Sequence, residues 1–346
     1  MINVLIVEDS TVALEFLLYV FNSDPEIHVV GVARNGEEAI EAVKRYKPNV
    51  VTMDINMPKM NGFEATRKIM ETFPTPIIIV SNSWNASEVS TTFHALEAGA
   101  LMVIPRPAGI GHQDHEKTAQ ELINAVKLMS EVKVVRRWPK TENKRPPALH
   151  LPQQRVETDI QIVVIGASTG GPIVLQTILS ALAANFPAPI LIVQHMASGF
   201  ITGFADWLGA TVSLTVRIAA NGDTLQPGNI YIAPDGFQLR VGIGGRIILA
   251  KGTTENGHCP SVSHCFRSVA ETYGKNALGI LLSGMGRDGV EELKIMREYG
   301  VITIAQDRSS CVVFGMPGEA INIGAAQYVL NPEGIVELLQ ELVVEK

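Results

Sequence analysis

Short apolar runs alternate with amphipathic stretches twice along this chain, and that alternation confines each half to a parallel α/β sheet. In the first half the apolar pattern predicts strands over Asn3–Val7, Val29–Ala33, Asn49–Met53, Ile77–Ser81 and Leu101–Ile104. Helices are expected from Ser10 to about Asn22, and over Gly36–Tyr46, Gly62–Thr72, Ser87–Ala98 and Gln113–Ser130, with Ser10 or Thr11 capping the first. Strands and helices in strict alternation make a doubly wound parallel sheet of the flavodoxin-like kind. From about Val132 to Asp159 the periodicity is lost, and Arg136, Arg137, Lys140, Lys144 and Arg145 accumulate among Pro139, Pro146, Pro147 and Pro152. That composition describes an extended spacer. A second, Rossmann-like α/β pattern begins at Ile160. It carries a strand-rich insertion over Val212–Lys251 and helices over Pro172–Ala184, Ser261–Tyr273 and Val290–Tyr299. The expected organisation is a domain over 1–130, a linker over 131–159 and a second domain over 160–346.

Composition narrows the class of function. A formal charge of −7 disfavours nucleic acid as the main partner, because a phosphate-tracking surface is basic. Apolar runs fall short of the ~18 residues of a membrane span, and the chain opens directly into a strand with no basic leader. Both point to a cytoplasmic protein without membrane insertion. The cysteines Cys259, Cys265 and Cys311 are odd in number and lack a C-x-x-C spacing, so a disulfide framework is not expected. His258, Cys259, His264 and Cys265 cluster in sequence but match no standard zinc spacing, which sets the metal reading aside.

Parallel strands of an open sheet finish at one edge, where such folds hold ligands. In the first domain that edge collects Glu8 and Asp9 after the first strand, Asp54 after the third, Ser81 at the end of the fourth and Arg106 after the fifth. Crowded carboxylates repel one another unless a cation intervenes. A divalent ion with hard oxygen ligands, Mg²⁺, would bind Glu8, Asp9 and Asp54 and orient a phosphoryl group. Asp54 is then the expected nucleophile and phosphorylation site, with Ser81 as a hydroxyl and Arg106 as a cation for the phosphoryl oxygens.

In the second domain three apolar runs end in Ser168, in Gln194-His195-Met196 and in Gly284-Met285-Gly286-Arg287-Asp288-Gly289. A hydroxyl, an imidazole and a carboxylate at one edge are the parts of an acyl-transfer enzyme. Gly166-x-Ser168-x-Gly170 between a strand and a helix fits a nucleophile elbow and also a glycine-rich dinucleotide loop. The dinucleotide reading wants an acidic residue at the end of the next strand. His195 stands there instead, a group suited to general-base work.

Both halves carry family signatures. Val7-Glu8-Asp9-Ser10, Met53-Asp54-Ile55-Asn56-Met57-Pro58-Lys59-Met60-Asn61-Gly62 and Ala95-Leu96-Glu97-Ala98-Gly99-Ala100 resemble the two-component receiver domain over residues 1 to about 125. Two departures stand out: Arg106 precedes Pro107 where receivers carry Lys, and no aromatic switch residue lies near Ile104. The second half resembles the catalytic domain of the bacterial chemotaxis protein-glutamate methylesterases. That likeness rests on Gly166–Pro172, Val193-Gln194-His195-Met196, Tyr231-Ile232-Ala233-Pro234, Pro260-Ser261-Val262 and Leu282–Gly289. The resemblance implies a phosphorylation-regulated serine hydrolase that demethylates chemoreceptor glutamate methyl esters and deamidates glutamines. It further implies Ser168, His195 and Asp288 as triad and the backbone N–H of Met285 in an oxyanion hole. A histidine kinase would be the phosphodonor, and the unphosphorylated receiver would cover the catalytic crevice. Gln238 occupies a position that many relatives fill with His, and is expected at the rim of the site. Two other readings stay open: a receiver-linked nucleotide-binding domain, and an output domain of low or no esterase activity that binds a partner.

Overall fold

The structure, a computed structural model, describes residues 1–81, 86–132, 134, 159–252 and 254–342, with the backbone alone for 86–91. Most of the expected linker, 135–158, lies outside these residues. The chain divides into two compact units, Met1–Lys144 and Arg145–Lys346.

The first unit runs β1 (Ile2–Val7), α1 (Thr11–Asn22), β2 (Ile27–Ala33), α2 (Gly36–Tyr46), β3 (Val50–Met53), α3 (Gly62–Thr72), β4 (Ile77–Ser81), α4 (Ala86–Ala98), β5 (Met102–Pro105) and α5 (His115–Ser130). Its sheet has the order β2-β1-β3-β4-β5 with every pairing parallel. The elements match the sequence expectation to within two residues at most boundaries, helped by caps at the starts of α1, α2 and α3. Ser10 accepts from Ala13 N, Asn35 from Glu37 and Glu38 N, and Asn61 from Glu64 N. β3 and β4 are buried throughout, which explains why they are apolar apart from Thr52 and the terminal Ser81.

The second unit runs β6 (Ile162–Ala167), α6 (Gly171–Ser180), β7 (Ile190–Gln194), α7 (Ile201–Gly209), β8 (Thr215–Ile218), β9 (Asn229–Ile232), β10 (Phe237–Gly242), β11 (Arg246–Lys251), α8 (Val262–Tyr273), β12 (Ala277–Leu281), α9 (Val290–Glu298), β13 (Ile302–Gln306), α10 (Met316–Asn322), β14 (Tyr328–Leu330) and α11 (Pro332–Leu342). Seven strands form one parallel sheet in the order β14-β13-β12-β6-β7-β9-β8. Within this unit the chain starts at central β6, adds β7, reaches the edge with β8, lays β9 between β7 and β8, and later returns to the other side of β6 with β12. The switch point therefore lies between β6 and β12, where open α/β sheets form their crevice.

The stretch over 212–251 is not one insertion. β8 and β9 extend the main sheet, while β10 and β11 pair antiparallel as a separate hairpin on α8. Val241 N donates to Ser268 Oγ at 3.1 Å and Thr272 Oγ1 donates to Val241 O at 3.1 Å, which ties the hairpin to that helix. Turn signals mark hairpins and parallel crossovers alike, so the pattern could not separate them. Helix α6 ends four residues before the expected Ala184, and the short helices α7 and α10 carry too few turns to show a periodicity. Phe204, Trp207 and Phe266 are among the largest fully buried side chains. Each contributes on the order of 1.5–3 kcal/mol of burial to the fold of this unit.

Candidate functional site

The second unit's crevice is assembled from the ends of β6, β7 and β12. Ser168 follows β6 directly, and its N–H donates to Ser283 O at 3.0 Å. Ser283 is fully buried; its N–H donates to Gln306 Oε1 and its hydroxyl to Thr169 O at 2.7 Å. The nucleophile turn and the loop after β12 are thus sewn together. Gly170 takes φ +80°, and a Cβ there would meet Val312 at 2.6 Å. At Gly284 a Cβ would lie 2.7 Å from Ser168 Cβ, so this glycine is what lets the loop close against the serine. Gln194 Nε2 braces the turn from the neighbouring strand, donating to Ser168 O and to His195 O at 2.8 Å each.

His195 lies beside this turn, its N–H donating to Ala167 O at 2.9 Å. Its ring Nε2 bonds Asp288 Oδ2 at 2.9 Å. The other ring nitrogen, Nδ1, is buried and has no hydrogen-bond partner among the described residues. That leaves one ring nitrogen tied to the carboxylate and the other uncommitted, the division of labour a general base needs.

Asp288 is only 2% exposed, yet its carboxylate accepts from five donors. Oδ2 takes His195 Nε2 and Val262 N–H (2.7 Å). Oδ1 takes Ser261 Oγ (2.8 Å), Asn256 Nδ2 (3.1 Å) and Ser263 N–H (3.2 Å). Three of these groups belong to the N-terminus of α8, whose unpaired N–H groups and dipole favour an anion. Burial by itself would raise this carboxyl's pKa; the bonds and charge from His195, with Asn256 and Ser261, outweigh it and hold Asp288 well below the ordinary carboxylate range. Val262 reaches its place because Gly166 and Gly289 leave room: a Cβ on either would come within 2.4 Å of its side chain.

The backbone N–H of Met285 and that of Thr169 find no acceptor among the described residues. Both flank Ser168, Met285 on the loop that touches it and Thr169 as its chain neighbour, the arrangement from which nucleophile elbows build an oxyanion site. Thr169 was signalled only by following the serine of a Gly-x-Ser-x-Gly turn. Gln238 is not at the rim. It is 2% exposed, donates through Nε2 to His258 O at 3.1 Å and accepts from Ser261 N at 2.8 Å, behind the triad residues. The four-residue His/Cys cluster also disperses. His258 stacks on His195, His264 bonds Glu255 at 2.9 Å, and Cys265 is fully buried with its thiol pushed up to about 12.

In the first unit the expected carboxylates do gather. Oxygens of Glu8, Asp9 and Asp54 lie within 4.8 Å of one another. Burial, then the adjacent Asp54 carboxylate, push Glu8 up to about 7 against the pull of Arg106. Asp54 is raised as well, chiefly by burial. Carboxylates destabilised by confinement and mutual repulsion are the donor set that a hard divalent cation relieves, so the residues fit Mg²⁺. Arg106 hydrogen-bonds Glu8 Oε2 at 2.5 Å through one guanidinium nitrogen, and its N–H donates to Ser81 O at 2.9 Å. Ser81 is buried at the end of β4. The Asp54 loop is shaped by Gly62, where a Cβ would sit 2.2 Å from Asp54 O, and by the Gly62 N–H bond to Ile55 O.

Comparison with known proteins agrees with this geometry. Residues 163–339 match the family described as CheB methylesterase, and residues 4–113 match the response regulator receiver domain. The chain is 55% identical over its whole length to a protein-glutamate methylesterase/protein-glutamine glutaminase of Nitrosospira multiformis, covering 98% of that protein. It is 54% identical to one from Syntrophus aciditrophicus, with 99% and 98% of the two chains covered. Among solved structures, the Thermotoga maritima CheB methylesterase catalytic domain is 43% identical over 53% of this chain and 99% of its own, with a TM-score of 0.52. With a receiver match in the first half and this catalytic match in the second, the chain belongs to the CheB methylesterase family.

Proposed function

We propose that this chain is a phosphorylation-regulated protein-glutamate methylesterase acting on methylated chemoreceptors in the cytoplasm, with glutamine deamidation as a second reaction of the same site. The observation that carries the reading is the His195 ring, bonded through Nε2 to a five-donor carboxylate and left uncommitted at Nδ1, on a strand end that Gln194 ties to the Ser168 turn. Ser168 Oγ attacks the ester carbonyl and His195 Nδ1 takes its proton. Asp288 keeps the second proton on Nε2 and stabilises the imidazolium. The N–H groups of Met285 and Thr169 receive the developing oxyanion. His195 then protonates the departing methoxide, and methanol leaves. Water, activated by the same imidazole, hydrolyses the acyl-enzyme and frees the glutamate carboxylate.

In the receiver, Glu8, Asp9 and Asp54 would hold Mg²⁺, which supplies charge neutralisation for phosphoryl transfer from a histidine kinase. Asp54 accepts the phosphoryl group, and Ser81 and Arg106 stand at the ends of β4 and β5 to engage it. Among the described residues no helix is long and apolar enough to cross a membrane. The test is methanol release from methyl-labelled receptor membranes, with and without a small-molecule phosphodonor. Release that depends on Ser168 and rises with the donor supports the proposal; none from the wild-type chain overturns it in favour of a partner-binding output domain.

A further inference from the structure

The turn Glu255–His258 touches two of the three triad residues at once. Glu255 and His258 pair as an antiparallel bridge, with N–H to O distances of 3.0 and 2.9 Å. The residues between them, Asn256 and Gly257, take φ +53° and +83°. Positive φ at both central positions with Asn-Gly is the signature of a type I′ hairpin turn, a geometry with little freedom. The turn is anchored on both flanks. Glu255 bonds His264 Nδ1 at 2.9 Å and Arg267 at 2.6 Å, and Arg267 also bonds Glu292 at 2.8 Å. Buried Gln238 holds His258 O from the other side.

From this rigid mount two side chains reach the triad. Asn256 Nδ2 donates to Asp288 Oδ1. The His258 ring lies flat against the His195 ring, with centroids 3.8 Å apart and planes 6° from parallel. We propose that His258 is a positioning residue for the esterase reaction, its ring face fixing the plane of the His195 imidazole so that Nε2 stays on Asp288 while Nδ1 is left available to the Ser168 hydroxyl. The proposal rests on the methylesterase reading of this site.

Hydrogen bonding to Asp288 fixes one end of the His195 ring but not its plane, and Nδ1 has no hydrogen bond among the described residues to do so. A flat partner at van der Waals distance removes that freedom. It also acts electrostatically: a neutral aromatic face attracts the imidazolium that forms during attack, whereas a protonated one would repel it. The charged or titratable groups facing His258 are His195 at the end of β7 and Asp288 after β12. Burial, then the neighbouring His195 charge, lower the pKa of His258 and so favour its neutral form, with Asp288 opposing. Asp288 therefore serves the ring it bonds, and His258 serves as that ring's uncharged backing.

The test uses the full chain with methyl-labelled receptor membranes, comparing wild type, His258→Ala and His258→Phe for kcat and KM between pH 5.5 and 9. Active serine is counted with a fluorophosphonate probe. His258→Ala should lower kcat per labelled serine at least about tenfold while KM stays within about twofold, since misplacing a base costs turnover rather than binding. His258→Phe keeps a flat face but cannot ionise. It should recover most of that kcat above pH 8, and the acid limb of its profile should be shallower than wild type because one of two coupled ionisations is gone. An Ala variant with wild-type kcat per serine overturns the proposal. So does a Phe variant whose acid limb matches wild type, and that arm decides the matter if the Ala variant fails to fold. Inactivity of the wild-type chain would instead refute the methylesterase reading itself.

Discussion

In the proposed reaction Ser168, His195 and Asp288 have separable tasks, and substitution should separate them. Ser168→Ala deletes the nucleophilic oxygen at a position where a small side chain suits the turn, so methanol release should fall below a few per cent of wild type with the thermal midpoint unchanged. Asp288→Asn should cost between about 10²- and 10⁴-fold in kcat, because an amide can hold the wrong His195 tautomer. The same change has a predictable effect on stability. Asp288 has a folded pKa depressed below its ordinary 3.8, so its ionised form stabilises the fold at every pH above that value, and the contribution is lost as pH falls through the folded pKa. The gap in thermal midpoint between wild type and Asp288→Asn should be constant from pH 8 to 5 and shrink below about pH 4. A gap that widened in acid would contradict the assignment. In the receiver, Asp54→Asn should abolish phosphodonor stimulation. Arg106 brings a broad planar fork where the receiver resemblance leads one to expect lysine, and it already grips Glu8. Arg106→Lys should free that carboxylate and raise the ratio of stimulated to basal esterase activity; an unchanged ratio would mean the switch has adapted to arginine.

At the scale of elements, the N-terminus of α8 is the part on which the site depends. It donates two backbone N–H groups and the Ser261 hydroxyl to one carboxylate, and it can do so only because Val262 fits between Gly166 and Gly289. Gly289 sits at φ +83°, and its Cβ would approach Val262 Cγ1 to 2.3 Å. Gly289→Ala should therefore cost about 2–4 kcal/mol in a denaturant titration, combining left-handed strain with overpacking. Esterase activity should fall further than the loss of folded protein explains, since the displaced helix end takes its donors away from Asp288. Gly236→Ala, with positive φ but open space around it, should cost about 1 kcal/mol and leave turnover unaffected.

For the whole molecule, truncation tests the expectation that the receiver restrains the esterase until Asp54 is phosphorylated. Removing residues 1 to about 135 should then raise basal methanol release, and the second unit should keep its fold because it holds its own seven-stranded sheet and core. A truncated protein slower than the intact unphosphorylated chain would make the receiver an activator or a docking element instead.

Alternation of apolar runs specified both parallel sheets, and parallel strands must end together, so Glu8, Asp9, Asp54, Ser81 and Arg106 at one edge, and Ser168, His195 and Asp288 at another, were legible before any coordinates. The cap of the first helix was legible too, because Ser10 acts within three residues of itself. Tertiary structure alone decided that β8 and β9 complete the main sheet while β10 and β11 leave it. It also decided that Gln238 lies buried behind the site, and that His258 stacks on a histidine far from it in the chain. Periodicity and capping are written in neighbouring residues. A ring face against a ring, or a glutamine bridging a loop to a helix end, depends on which surfaces the packed elements bring into contact, and no local spacing encodes that.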